Sequence, residues 1–178
     1  MKNETDRLIS SGEEYMNKRR FTDAAKCYEM VATVVEDKEK IVEFFLKAAQ
    51  AYGQWGDTEN TVRCYRKASQ FLTKSEKAEC LLDCWKAYIF AIASCEWECC
   101  FEWRGDDGHD DDHDIYQGLI KQLQNGAEKV LKEAVNIEGA DRRKIIKLAK
   151  KECRRRKRKD GWGSVRCLNI ITNVTQGS

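Results

Sequence analysis

The sequence predicts an all-α protein, a helical-repeat solenoid closed by a modified C-terminal helical cap. Tyr15, Tyr52 and Tyr88 recur at intervals of 37 and 36 residues, and each is followed 12 positions later by a cysteine and then an aromatic: Cys27-Tyr28, Cys64-Tyr65 and Cys100-Phe101. A period in the mid-thirties, built from helix-favouring residues with a turn in the middle, is the length of one antiparallel helix pair stacked on the next. Proline is absent and 35% of the residues are charged, so only glycines and polar turns interrupt the helical hydrogen-bond ladder. Such a chain makes an extended surface before it makes an active-site pocket.

Residues 1–104 are expected to form three helix pairs. In the first, a helix over 3–17 meets one over 22–36 through Lys18-Arg19-Arg20-Phe21, with Thr22 as N-cap. In the second, 39–54 is followed by the turn Trp55-Gly56-Asp57 and a helix over 58–72. Asp57 is its cap, and Gly56 falls where a helix end must turn left-handed. The third opens on Thr73 and Glu76 in capping-box spacing and runs to about residue 94, its apolar face carried by Ala78, Leu81, Leu82, Trp85, Tyr88, Ile89 and Ile92. It then degrades: where the earlier copies carry Ala24 or Thr61 and Val31 or Ala68, it carries Trp97 and Arg104. Arg104-Gly105-Asp106-Asp107-Gly108 ends it early.

An acidic loop over 105–114 follows, and then C-terminal helices over 115–159. Ile115, Leu119, Leu123, Ala127, Val130, Leu131, Ala134 and Val135 have helical spacing, Gly139 breaks the pattern, and Asp141 caps a final basic helix. This pair is the expected cap, because a terminal unit needs one polar face. In the tail, 160–178, Val165, Leu168, Ile171 and Val174 fit a helix with Ser164 as cap, whereas the β-branched Ile170-Ile171-Thr172 favours a strand.

The net charge is only +2, but the two signs are segregated. Nine cysteines are odd in number and sit inside helical patterns, with no basic and apolar leader before them, so they are read as reduced core residues in a cytoplasmic protein. The longest nearly apolar run, 87–95, is too short to span a bilayer. The sequons at Asn3 and Asn173 carry little weight without a secretory route. Only two histidines are present, with no glycine-rich phosphate loop and no paired carboxylates in an apolar setting, so neither an enzyme nor a cofactor is expected.

The small and aromatic residues of the repeats, Gly12, Tyr15, Phe21, Ala24 and Tyr28 in the first copy and Ala49, Tyr52, Gly56, Tyr65 and Ala68 in the second, resemble the tetratricopeptide repeat. Within that superfamily, Arg20-Phe21-Thr22-Asp23-Ala24-Ala25-Lys26, Lys47-Ala48-Ala49-Gln50-Ala51-Tyr52 and Lys77-Ala78-Glu79-Cys80-Leu81-Leu82 look like the soluble NSF attachment proteins. The resemblance covers roughly residues 5–92. It implies a right-handed solenoid and a non-catalytic adaptor role in vesicle trafficking or complex assembly, with a SNARE-like helical bundle or an AAA ATPase as partner. No SNARE-binding or ATPase-activating residue is carried over.

Three candidate sites follow. The concave face of the stack, lined by the first helix of each pair, is expected to present Ile9, Glu13, Met16, Leu46, Gln50, Gly53, Gln54, Leu82, Lys86 and Ile89 to a helical or extended partner. Lys150, Lys151, Arg154, Arg155, Arg156, Lys157, Arg158 and Lys159 surround a single acid, Glu152. Consecutive helical positions cover every face, so some of this charge must meet solvent. The competing expectations are phosphate contacts with nucleic acid, docking on anionic lipid, pairing with the acidic loop of the same or another copy, and a merely solvated helix. A nucleic-acid-binding or anionic-membrane-binding protein is therefore the alternative function. Finally, Cys95, Cys99, His109 and His113 form two pairs at i, i+4 spacing, a donor set suited to zinc. The alternative leaves the cysteines in a core and the histidines solvated among aspartates, and no bound metal is expected. Asp110-Asp111-Asp112 lacks the preformed turn that an oxygen site needs.

Overall fold

In a computed structural model, the described residues (3–102, 110–159 and 164–176) form eight α-helices and no strand. Side chains are described within these ranges except at 99–102, 110–114, 159 and 164. The helices are α1 (Glu4–Asn17), α2 (Phe21–Val34), α3 (Lys38–Trp55), α4 (Thr58–Ser69), α5 (Lys74–Glu102), α6 (Asp110–Val135), α7 (Arg142–Lys159) and α8 (Ser164–Gln176). Two compact units result, Met1–Cys84 and Trp85–Ser178, with the boundary inside α5. No helix among the described residues is long and apolar enough to cross a membrane.

In the first unit the turn chemistry sets most helix ends. Gly56 closes α3 at φ +88°, the left-handed region glycine enters without a Cβ penalty. Asp57 opens α4 by accepting the backbone N–H of Asn60 at 3.0 Å. Thr73 donates its backbone N–H and its hydroxyl to Glu76, at 3.1 and 2.6 Å. Asp37, a cap that the sequence reading passed over, accepts from Glu39 and Lys40 at 2.9 and 3.1 Å. Thr22 is not a cap: α2 starts a residue earlier, and Arg20 holds the cap position without a side-chain cap bond. Arg20 instead reaches Asp23 at 2.7 Å and lies over the Tyr15 ring, 4.7 Å from its centroid.

Each helix of this unit packs on its chain neighbour, α1 on α2, α2 on α3 and α3 on α4. The core follows the small-and-aromatic pattern. Ala24, Ala25, Ala48, Ala49, Ala51 and Ala68 are fully buried beside Tyr28, Phe44 and Tyr52. At Gly12 on α1, a Cβ would stand 2.7 Å from the Tyr28 ring, so only glycine admits that ring. Across this core Glu29 of α2 gathers three partners. Arg63 of α4 grips its carboxylate with both guanidinium nitrogens at 2.6 and 2.7 Å, Tyr52 of α3 donates its hydroxyl at 3.0 Å, and the Lys67 ammonium stands 3.6 Å away. Burial alone would raise the Glu29 carboxyl. Hydrogen bonds from Arg63 and Tyr52, with the charges of Arg63 and Lys67, outweigh burial and hold it below its usual range. The Tyr52 hydroxyl is correspondingly pushed up to about 12, by burial and by the bond it donates.

The third helix pair does not form. Residues 74–102 carry no glycine, proline or polar turn, so α5 continues as one helix of 29 residues. The acidic segment also differs from the expected loop: its second half, from Asp110, belongs to α6, and the rest lies outside the described residues.

In the second unit α6, α7 and α8 pack on one another. Gly126 of α6 meets the Tyr88 ring of α5 as Gly12 meets Tyr28, with a Cβ position 2.7 Å from the ring. The tail is a helix because Cys167, Ile170, Ile171 and Val174 fall on one buried face. Tertiary burial overrides the β preference of its branched residues. Ile115 and Leu119, expected on the apolar face of α6, are exposed, and the core of that helix begins at Ile120. Asp141 caps α7 through the Lys144 backbone N–H at 2.9 Å. Arg166 of α8 pairs with Glu96 of α5 and reaches Gln117 of α6.

Cys153 of α7 and Cys167 of α8 are bonded as a disulfide across a Cα separation of 5.9 Å. This corrects the expectation that all cysteines are reduced. Helical spacing hides the pairing, because the two residues meet only once α7 and α8 pack. The bridge closes a loop of 14 residues, for which loop-closure entropy gives about 3 kcal/mol. Reduction is therefore expected to speed amide exchange in α7 and α8 while leaving α1 to α4 unchanged; identical exchange in both redox states would remove the bridge from the stability of this unit.

The Glu29 cluster predicts an acid limb. A carboxyl with a depressed folded pKa contributes stability above its unfolded value, about 4.3, and loses it as pH falls through the lower folded value. Urea midpoints measured from neutral to acid pH should fall less steeply for Glu29→Gln than for the parent. Parallel curves would sink this assignment.

Candidate functional site

The surface expected to bind a protein partner begins on α1 and α3. Glu13, Gln50 and Gln54 are exposed. Ile9, Met16 and Leu46 are half-buried against the core cluster, so each offers one side to solvent while the other anchors its helix. Gly53 is half-buried beside Thr61 of α4, at 3.7 Å from its Cβ position. Leu82 and Ile89 are corrections: at 2% and 0% exposure they are core residues with nothing to offer a partner. Their apolar character fits both a binding face and a core, and α5 spends it on the core. Lys86 is half-buried, and its charge helps lower the Glu152 carboxyl. The α1 and α3 surface therefore mixes amide, carboxylate and partly covered aliphatic groups. Trp55, 66% exposed at the end of α3, is a large aromatic that the sequence reading treated only as part of a turn.

The basic segment is sorted by the geometry of α7. Ile145, Ala149 and Cys153 are buried, and so is Arg156 at 9% exposure. The Arg156 guanidinium lies 5.2 Å over the Phe90 ring of α5, and its Nε stands 3.3 Å from the Glu152 carboxylate. Arg156 is thus withdrawn from the expected polyanion-binding set, since it sits on the inward face of the helix. Arg155 makes a forked contact with the same carboxylate at 2.8 and 2.7 Å. That hydrogen bond is the main reason the Glu152 carboxyl lies below its usual range.

Lys150, Lys151, Arg154, Lys157 and Arg158 remain exposed, and the side chain of Lys159 lies outside the described residues. Arg142, Arg143 and Lys147 join them from the first turns of the helix. Sequence reasoning missed these three by following the densest run of charge; the signal was the helical period, which places positions 143, 147, 150 and 154 on one stripe. With Arg142 and Ile146, these side chains line an open hollow of about 460 Å³.

Of the candidate zinc ligands, Cys95 is half-buried on α5, and burial pushes its thiol above the usual value. The side chains of Cys99, His109 and His113 lie outside the described residues, as do those of Asp110, Asp111 and Asp112. Elsewhere the free thiols serve as packing groups. Cys64 and Cys80 are buried and pushed up to about 12 by burial first, which makes them poor nucleophiles.

No protein-family model matches this chain, nor does any curated protein or solved structure.

Proposed function

We propose that the first unit is a non-catalytic adaptor, a tetratricopeptide-like right-handed repeat akin to the attachment proteins, whose α1 and α3 surface holds a helical or extended partner segment in the cytoplasm. The observation that supports this is the serial packing of α1 to α4 over a core of alanines, one close-approach glycine and tyrosines. Helices stacked in chain order leave one row of first helices facing outward, and such a row suits recognition of an extended segment. The surface mixes polarity, so a partner with both apolar and polar side chains fits it better than a highly charged tail.

Peptides selected by display against the folded protein supply the test. Glu13→Arg combined with Gln50→Arg should weaken the selected peptide about tenfold, which is about 1.4 kcal/mol, with the helical circular dichroism unchanged. Lys26→Glu on α2 should leave affinity intact. Equal losses from both substitutions, or a stoichiometric turnover abolished by one point mutation, would replace this reading.

The exposed cations of α7 favour a second reading, attachment of the second unit to a polyanion, nucleic acid or anionic lipid, through phosphate contacts without base recognition. Such binding should weaken steeply as salt rises. Salt-insensitive association would exclude it.

A further inference from the structure

We infer that the hollow on α7 is a binding site for a compact, multiply phosphorylated ligand. The inference rests on the polyanion reading of α7 and narrows it to one stripe and one ligand size.

Arg143, Lys147, Lys150 and Arg154 recur at steps of four, three and four residues. On a helix these steps return to nearly the same angle, so the four cations form a single row about 16 Å long. All four are exposed, and among the described residues no carboxylate pairs with Lys147, Lys150 or Arg154. This separates the row from its neighbours, since Arg155 and Arg156 already spend their charge on Glu152. A row of cations with no carboxylate partner among the described residues repels itself, and a ligand that brings several negative charges relieves that repulsion. Arginine offers a planar fork to phosphate oxygens and lysine a mobile point charge, so the mixture suits phosphates at uneven positions.

The shape limits the ligand. A hollow of about 460 Å³ falls in the range of small-molecule sites, roughly 300–1,000 Å³. Among the described residues, Ile146 is its only apolar lining residue and no aromatic lines it. A nucleic-acid strand therefore finds no stacking platform among the described lining residues. Insertion into a bilayer is equally unsupported, because Ile145, Ala149 and Cys153, the apolar side of α7, are buried within the unit. What remains is recognition of clustered phosphates, supplied either by a free polyphosphorylated molecule or by a polyphosphorylated lipid headgroup.

The closing experiment uses the full chain, oxidised, with inorganic tripolyphosphate as probe in titration calorimetry. Two variants remove the same charge from adjacent stripes: Lys147→Gln, Lys150→Gln, Arg154→Gln in the hollow, and Lys144→Gln, Lys151→Gln, Arg155→Gln beside it. The hollow variant should lose about tenfold or more in affinity, and the neighbouring variant about twofold or less. All the substituted residues are exposed, and circular dichroism checks that both variants keep their helices. Equal losses would overturn the site while leaving a diffuse polyanion surface in place. Absence of tripolyphosphate binding to the parent, or tighter binding of single-stranded oligonucleotide with equal losses in both variants, would also overturn it. Phosphatidylcholine vesicles with and without phosphatidylinositol bisphosphate, compared with soluble inositol trisphosphate, separate the two sources. Preference for the vesicle assigns the site to a headgroup, and preference for the soluble compound assigns it to a free ligand.

Discussion

The first unit depends on one half-buried carboxylate. Glu29 sits in the middle of α2, beside a core made mostly of alanine and aromatic residues, and a lone charge there would be costly to desolvate. It is tolerable only because α3 supplies a hydroxyl and α4 a guanidinium and an ammonium. Three helices are thereby tied at one point in a fixed register, since the forked contact from Arg63 accepts little rotation. Alanine packing is smooth and specifies position poorly. The polar tie adds the specificity that methyl groups cannot.

The second unit is organised by a covalent bridge and a buried cation. The disulfide holds α8 against α7, and Arg156 turns inward between Glu152 and Phe90. Together they define the inward face of α7. Once that face is settled, the helical period dictates which of its cations point away from the core. A run so rich in positive charge has no local reason to choose one orientation, and the choice comes from Cys153, Ala149 and Ile145 filling the interior. The charged stripe is in this sense a by-product of apolar packing on the opposite side of the same helix.

The same residue types carry different duties in the two units. Gly12 and Gly126 each admit a tyrosine ring that a Cβ would block, and each lies near the middle of a helix where glycine is unfavourable by about 1 kcal/mol relative to alanine. Cysteine serves as filler at Cys64 and Cys80 and as a covalent link at Cys153 and Cys167. Composition cannot separate these duties, since both kinds of cysteine occupy buried positions on helices.

Helical class, the turn at Gly56, the caps at Asp57 and Asp141 and the alanine-tyrosine core of the first unit were legible in the sequence by itself. Those signals are local: a cap or a left-handed glycine acts over about four residues, and a helical period needs only a few turns. The helical tail, the Cys153–Cys167 bond, the burial of Leu82 and Ile89 and the inward turn of Arg156 were decided by tertiary structure alone. Each depends on residues distant in the chain meeting across a packed interface. A leucine on an apolar stripe, an arginine in a basic run and a cysteine on a helix carry no mark of which neighbour will cover them.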